Sequence, residues 1–175
     1  LLNFSHGTLM IHLGMSGRLR VVPADTPHVK HDHVDFVLDS GKVLRFHDPR
    51  RFGSILWVGE DVANSKLLKN LGPEPFDETL TAVALYRVSR GRKTSIKQFI
   101  MDGRVIVGVG NIYASEALFR AKIRPGRAAG RVTLSRFGQL LDAIRQVLSE
   151  AIKAGGTTLR DYSRVTGEPG DFEQS

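Results

Sequence analysis

Glycines, an asparagine and nearby cations in the middle of the chain form a combination suited to holding phosphate groups. The segment from Ile96 to Phe119, IKQFIMDGRVIVGVGNIYASEALF, contains the turn VGVGN, whose glycines permit close backbone approach and positive φ angles. We expect Asn111, after Gly110, to cap a helix whose free N–H groups and dipole favour an anion. A connecting turn with a capping Asn is the simpler alternative, because a bare G-x-G is a weak signal. The sequence does not favour a dinucleotide-binding fold, because Tyr113 or its neighbours replace the third glycine of that fingerprint and no alternating pattern of strands and helices surrounds the turn.

Positive charge is concentrated around that turn. Residues 87–136 contain 12 Lys or Arg and two acidic residues, a local net charge of +10 in a chain whose total is +7. Cations placed against phosphates release counterions and steer encounter, so this clustering indicates a polyanion, and nucleic acid is the natural candidate. A basic cluster leads into a predicted helix and comprises Arg90, Arg92, Lys93 and Lys97. Two of its members, Arg92 and Lys97, could both face the backbone of one nucleic-acid strand. A solvated charged face is the alternative.

Two loops of the N-terminal region carry residues suited to entering a base stack. DPRRFG, residues 48–53, combines two arginines with Phe52, so that one guanidinium can address a base edge while the ring enters the stack. Met15 in LGMSG is a second candidate wedge. Each residue alone is compatible with a turn or with core packing. Their shared position on loops of one β region favours wedges.

The stretch HDHVD, residues 31–35, has residue types that metals use. Alternation along a strand predicts His31, His33 and Asp35 on one face, which suits either metal ligands or a hydrogen-bonded surface row. No further ligand set is evident in the sequence. We therefore predict no metal here and a phosphate contact from His31.

Composition limits the classes of protein that this chain can represent. Its 175 residues, 41% of them apolar, can bury a core in one large or two small domains. It contains no cysteine, which excludes disulfides, thiolate zinc sites and thiol nucleophiles within the chain. No segment reaches the roughly 18 apolar residues of a membrane span or resembles a secretory signal. We expect a soluble, cytoplasmic protein.

Hydrophobic periodicity changes from β to helical along the chain. Up to about Val62, the runs LLNF, TLMIHL, GRLRVV, HVDFVL, KVLRFH and FGSILWV predict strands. Two prolines in LGPEPFD indicate a linker. Helices are predicted over 79–88, 95–102, 111–121 and 134–154. The apolar stripe of the last comprises Leu134, Phe137, Leu141, Ile144, Leu148 and Ala151. The predicted class is α+β, with a partial antiparallel β-sandwich followed by a mostly helical part.

Six motifs together resemble one family. HLGMSG (12–17), KHDHVDF (30–36), DPRRFG (48–53), LGPEP (71–75), IKQFIMDGRVIVGVGNIYASEALFRAKI (96–123) and GGTTLRDY (155–162) resemble, in order and spacing, bacterial formamidopyrimidine-DNA glycosylase. The sister subfamily, endonuclease VIII, typically lacks DPRRFG. The resemblance implies that residues 1–70 belong to an N-terminal β-sandwich, 71–78 to a linker, 79–156 to a helix-two-turns-helix domain, and 157–175 to a lesion-covering loop before a zinc finger.

The resemblance also implies an activity and a partner. Family members excise oxidised purines, such as 8-oxoguanine and formamidopyrimidines, from double-stranded DNA and then nick the abasic strand by β,δ-elimination. The damaged base must first leave the stack. We accordingly expect base-excision repair, a nucleoid-associated bacterial protein, and a monomer.

Roles are implied residue by residue. Met15, Arg50 and Phe52 resemble the triad that fills the vacated gap, with Arg50 addressing the orphaned cytosine. His31, Arg50 and Arg92 match DNA-binding positions. His12, Lys97 and Asn111, with the turn at Gly110, match residues that hold the backbone around the flipped nucleotide. The loop that covers the extruded base is matched by Arg160, Asp161, Tyr162, Ser163, Arg164, Val165, Thr166 and Gly167.

The catalytic groups of the family are missing from the match. Its N-terminal proline nucleophile, adjacent glutamate and later lysine would precede Leu1, and its zinc finger with four cysteines and an arginine would follow Ser175. We therefore expect an internal fragment that binds DNA but has no catalytic residue and no cofactor, from a parent with one structural zinc. A non-catalytic module for damaged DNA is the alternative. DPRRFG speaks against a third reading, an RNA-binding module.

Overall fold

The computed structural model describes residues 1–62 and 65–154 and contains two compact units. A sheet unit lies within residues 1–65, and a helical unit lies within residues 66–153. This segregation of strands from helices along the chain confirms the predicted α+β class. Among the described residues, no helix combines the length and the apolar character that crossing a membrane requires.

The predicted β runs form two antiparallel sheets in the sheet unit. Within residues 1–62 the strands are β1 (Leu2–Phe4), β2 (Gly7–His12), β3 (Arg18–Pro23), β4 (Asp32–Val37), β5 (Lys42–His47) and β6 (Ser54–Gly59). Their orders are β1-β2-β6 and β3-β5-β4. In the second sheet β5 is central, and its side chains Val43 and Phe46 are buried. The DSG turn between β4 and β5 ends at Gly41, whose φ of 73° suits glycine.

A bulge at the start of β4 changes which side chains share a face. Asp32 pairs with His47 and Val34 with Phe46 on β5, so His33 is the extra residue. Asp32 and Asp35 consequently both reach Arg45. The strict alternation that predicted one face for the histidines and Asp35 is therefore wrong at this strand end.

Arg45 is the centre of a buried ionic cluster that holds β4 against β5. Its Nε and Nη2 donate to the two carboxylate oxygens of Asp35, each at 2.8 Å, and its Nη1 lies 3.5 Å from Asp32. The guanidinium lowers the pKa of Asp35 by its hydrogen bonds, despite partial burial. Burial would raise the pKa of Asp32, but hydrogen bonds from the Val29 N–H and the His47 ring hold it below its ordinary value. The two aspartates of HDHVD therefore stabilise the pairing of β4 with β5.

The four predicted helices are confirmed, with shifted ends. The helical unit contains α1 (Ala82–Ser89), α2 (Ile96–Met101), α3 (Asn111–Arg120), a short 3₁₀ helix (Ala129–Arg131) and α4 (Leu134–Lys153). The first helix begins three residues later than predicted because Thr81 is its N-cap, with its hydroxyl accepting from the Ala84 N–H at 3.1 Å. Before it, the Asp77 carboxylate accepts both the N–H and the hydroxyl of Thr79 at 2.7 Å.

The long helix α4 supplies the core on which α1 and α3 pack. Phe137 is fully buried and meets the rings of Phe99 and Tyr86 edge-on, with centroids 6.0 and 6.5 Å away. The predicted apolar stripe is buried except at its start: Leu134, in the first turn, is 43% exposed. This packing fixes α3, which carries the glycine turn at its N-terminus.

Candidate nucleic-acid interface

One buried carboxylate joins two loops of the sheet unit. The first loop, residues 13–17, follows β2, and the second, residues 48–53, connects β5 to β6. Ser16 Oγ donates to Asp48 Oδ1 at 3.0 Å, and the Gly53 N–H donates to Asp48 Oδ2 at 2.8 Å. Asp48 is only 1% exposed. Asp48, the first residue of DPRRFG, has no role in the predictions from sequence, although an acidic residue that opens a turn is typical of hydrogen bonding to the backbone.

The hydrogen bonds keep Asp48 ionised. Burial alone would raise the pKa of this carboxyl, but the Gly53 N–H, the Ser16 hydroxyl and the N–H groups of Arg50 and Arg51 donate to it. Together they hold its pKa below the ordinary value. A charged acceptor strengthens each of these bonds, so the carboxylate fixes both loops more firmly than a neutral group would.

The two loops also touch through a glycine. Gly14 has a φ of 65°, and a Cβ built on it would lie 2.6 Å from the carbonyl carbon of Phe52 and 2.7 Å from the Gly53 nitrogen. Any larger residue would force the loops apart. The first glycine of LGMSG is therefore required for contact between the loops, and it lies beside the candidate wedge residue.

Met15 and Phe52 project from these loops into solvent. Each side chain is 57% exposed. The Arg50 guanidinium lies over the Phe52 ring, with Cζ 4.9 Å from the centroid, a cation–π contact. The structure thus brings Arg50 and Phe52 into contact and places Met15 on the adjoining loop.

The two candidate histidines lie beside the same loops. His12, at the end of β2, is exposed, and its Nδ1 accepts from the Gly14 N–H at 3.2 Å. The carbonyl of His31 accepts from the Asp48 N–H at 3.0 Å, and its backbone has a φ of 79°. Desolvation and then the charge of Lys30 lower the pKa of the His31 ring. An added negative charge would reverse that shift.

In the helical unit, Lys97 and Asn111 come together through Ser115. Lys97 Nζ donates to Ser115 Oγ at 2.8 Å, and Ser115 Oγ donates to the Asn111 carbonyl at 2.8 Å. A cation from α2 is thereby placed at the first turn of α3, where the helix dipole also favours an anion. The structure thus links Lys97 to Asn111 through one intermediate side chain; the predicted phosphate contact of the two residues stays a prediction.

The expected capping role of Asn111 is wrong. Gly110 is the N-cap, with φ −80° and ψ 178°, and it makes no side-chain cap, so Asn111 is the first helical residue. Apart from its two chain neighbours, no residue that the structure describes has an atom within 4 Å of a Cβ built on Gly110. Gly108, by contrast, has a φ of 77°, which demands glycine. The backbone at Gly110 is therefore open to an outside group.

The basic cluster before α2 divides into structural and exposed members. Arg90 donates to the Tyr86 and Val132 carbonyls at 3.0 and 2.8 Å, and its Cζ lies 3.8 Å from the Tyr86 ring centroid. It is used in packing. Arg92 is exposed, held by a bond from its Nε to the Val88 carbonyl at 3.0 Å.

Two further expectations concern other parts of the chain. The predicted lesion loop, residues 160–167, lies outside the described residues. Within residues 1–62 and 65–154, His, Asp and Glu nowhere form a group of three that could hold a metal ion.

The sequence matches two family models and many curated proteins. The model of the formamidopyrimidine-DNA glycosylase N-terminal domain matches residues 1–55, and that of the formamidopyrimidine-DNA glycosylase H2TH domain matches residues 71–163. The formamidopyrimidine-DNA glycosylase of Alcanivorax borkumensis is 59% identical over 100% of this chain and 65% of its own length. That of Syntrophotalea carbinolica is 60% identical over 96% of this chain and 62% of its own length. The chain thus spans less than two thirds of these relatives.

Solved structures give the same result. The MutM (Fpg) protein of Thermus thermophilus is similar with a TM-score of 0.82 at 39% identity, covering 93% of this chain and 60% of its own. Lactococcus lactis Fpg in complex with abasic-site DNA has a TM-score of 0.85 at 31% identity, covering 94% and 61%. A variant of that protein with DNA containing Fapy-dG reaches 0.86 at 32% identity, covering 95% and 61%. The chain therefore belongs to the formamidopyrimidine-DNA glycosylase family.

Proposed function

We propose that this chain is the DNA-holding part of a DNA glycosylase of base-excision repair. Family membership supports this proposal, and so do the similar Lactococcus lactis structures, which are complexes with abasic-site DNA and with Fapy-dG DNA. The local net charge of +10 over residues 87–136 suits a polyanionic partner.

The observation that carries the proposal is the pair of exposed apolar side chains on locked loops. Met15 and Phe52 are exposed, yet Asp48 and Gly14 fix the backbone beneath them. A rigid apolar side chain can fill the gap that a flipped base leaves, offsetting an unstacking cost of a few kcal/mol. Arg50, lying on the Phe52 ring, is then suited to meet the unpaired base opposite.

The helical unit supplies phosphate contacts in this proposal. The open backbone at Gly110, the first turn of α3 and the Lys97 ammonium can hold one phosphate together. Exposed Arg92 adds a cation on the same unit. On the sheet unit, His12 and His31 make the phosphate contacts. Phosphate contacts of this kind fix position and give affinity without reading sequence.

Finer features follow the family resemblance. We propose that the parent protein excises oxidised purines, nicks the abasic strand by β,δ-elimination and acts as a monomer. The division into 1–70, 71–78, 79–156 and 157–175 is part of the same proposal. The resemblance implies a structural zinc bound by four cysteines. The residues of this chain do not fit that site, because the sequence has no cysteine. No residue here matches the proline nucleophile, so we expect binding without cleavage.

Two experiments test the proposal on the 175-residue chain. In fluorescence anisotropy, the chain should bind a duplex with an abasic-site analogue more tightly than the intact duplex. Equal affinity for both, or preference for RNA, would contradict the proposal. Borohydride trapping on a duplex containing 8-oxoguanine should give no covalent adduct. An adduct would show that the chain itself carries a nucleophilic amine and would overturn the assignment of binding without cleavage.

A further inference from the structure

A second group of cations lines a hollow on the helical unit. The hollow, of about 820 Å³, is formed by the segment between α3 and the 3₁₀ helix, and its lining residues are Lys122, Ile123, Arg124, Gly126, Arg127, Ala128 and Arg131. Every charged residue in this lining is a cation. All four cations are exposed, and none forms an ion pair within the described part of the chain. Concentrated, unneutralised charge of this kind favours a polyanion.

Lys122 occupies a position that favours glycine. It follows the C-cap Ala121 with a φ of 52°, and its N–H donates to the Phe119 carbonyl at 2.9 Å. The Ile123 N–H donates to the Leu118 carbonyl at 2.9 Å, which completes a Schellman motif. A lysine there is strained relative to glycine, so it destabilises the helix end while placing an ammonium at the hollow.

The hollow continues toward the phosphate site at α3. A neighbouring hollow of about 490 Å³ shares Lys122 and Arg124 and reaches Ser115, the hydrogen-bond partner of Lys97. Backbone bonds hold the segment in place: the Lys97 N–H donates to the Pro125 carbonyl at 3.2 Å. The four cations therefore line one continuous surface, the track, which reaches Ser115 past the apolar residues of the second hollow and is fixed to the first turn of α2.

We propose that Lys122, Arg124, Arg127 and Arg131 form a second contact surface for the phosphodiester backbone of duplex DNA. It adjoins the phosphate site at Lys97 and Gly110 and binds phosphates farther along the same duplex. The inference rests on the proposed function. A linear polyanion suits a track that joins two hollows, and guanidinium groups can bind phosphate oxygens in a bidentate manner.

The first test compares variants on two duplex lengths by anisotropy over a range of salt concentrations. On a duplex of about 30 base pairs, three helical turns, Arg124→Gln/Arg131→Gln should weaken binding about tenfold and reduce the salt slope by about two. On a hairpin-closed duplex of about 10 base pairs centred on an abasic-site analogue, the loss should be small. Lys69→Gln/Arg87→Gln, which removes two exposed cations outside the track, is the charge-matched control.

A second variant excludes misfolding as the cause. Lys122→Gly should raise Tm by about 3 °C, because glycine relieves the left-handed strain, and should still weaken binding to the longer duplex. Lower affinity in a more stable protein would exclude unfolding as the cause of the loss.

The outcomes separate this inference from the proposed function. If both track variants bind the longer duplex like the unaltered chain while Lys97→Gln is impaired, the inference fails and the proposed function stands. Equal losses of affinity on the two duplexes would indicate that these cations act at the lesion, and would contradict a second contact surface farther along the duplex. If the unaltered chain binds neither duplex, the proposed function itself fails.

Discussion

The hydroxyl of Ser16 donates to the carboxylate of Asp48 at 3.0 Å, in a buried contact between residues 32 positions apart. The same carboxylate accepts the Gly53 N–H from its own loop. This relationship fixes the two loops from which Met15 and Phe52 project. A side chain that enters a base stack must be held in place beforehand, because disorder would add an entropic cost to insertion.

Asp48→Asn tests the importance of that carboxylate for the fold. The amide keeps the size of the side chain but loses the charge, and its NH₂ group faces backbone donors. We expect a loss of about 2 kcal/mol in the free energy of unfolding, measured by urea denaturation. Asp39→Asn, an exposed residue of the β4–β5 turn, should change stability by less than about 0.5 kcal/mol. Equal effects of the two substitutions would contradict the role of Asp48.

The pH dependence of stability follows from the lowered pKa values of Asp32, Asp35 and Asp48. A carboxyl whose pKa is lower in the folded state stabilises that state above its unfolded pKa of about 3.9. This contribution is lost as the pH falls through the folded-state pKa. The contribution of these carboxyls to the urea midpoint should therefore be lost below about pH 4. Asp48→Asn should make this loss smaller, and an unchanged profile would argue against its ionised state.

Met15→Ala should separate binding from stability. Its side chain is 57% exposed, so truncation should change Tm by less than about 2 °C. Affinity for a duplex with an abasic-site analogue should fall about tenfold, because the gap then lacks its apolar filler. Val37→Ala, at an exposed position of β4, controls for the loss of surface apolar area. A similar effect of both variants on DNA affinity would count against the wedge.

The two glycines of the turn before α3 should respond in opposite ways. Gly110→Ala adds a methyl group that no described residue beyond the chain neighbours approaches within 4 Å, and φ is −80°, so stability should fall by only about 0.5 kcal/mol, because alanine is a poorer N-cap than glycine. Binding should weaken, because the methyl group obstructs the approaching phosphate. Gly108→Ala should lower the free energy of unfolding by about 1 kcal/mol, since φ is 77°. Thermal melts and anisotropy give both values; unaltered binding by Gly110→Ala would remove the phosphate from this position.

Binding should be coupled to a proton at His31. Desolvation and nearby cations lower the pKa of its ring in the free protein, whereas a phosphate would raise it. Binding would then take up a proton, so affinity should increase as the pH falls from about 7.5 to about 5.5. His31→Gln should reduce this dependence. If the variant and the unaltered chain show the same pH dependence, His31 does not contact phosphate.

Local patterns were sufficient to predict the helices and strands. The 3.6-residue apolar period of α4 identified its bounds to within one residue, because burial against α1 and α3 requires that stripe. The glycine turn followed by α3 was also predicted at its position.

Contacts between distant residues could not be predicted in this way. The role of Asp48 depends on Ser16, which is far away in sequence, and the bulge at His33 depends on pairing with β5. Asn111 had the residue type of a cap, but Gly110 took that position because the chain enters α3 in an extended conformation there. The exposed state of Phe52 similarly required the loop geometry that Gly14 permits.

The separate roles of the two units in DNA binding are tested most directly by comparing two single variants, Lys97→Gln and Phe52→Ala. Anisotropy would measure the affinity of each variant for abasic-analogue and intact duplexes at several salt concentrations. We predict that Lys97→Gln weakens both complexes by the same factor and reduces the salt slope by about one. Phe52→Ala should weaken only the abasic complex and leave the slope unchanged. Equal loss by Phe52→Ala on both duplexes would contradict the account.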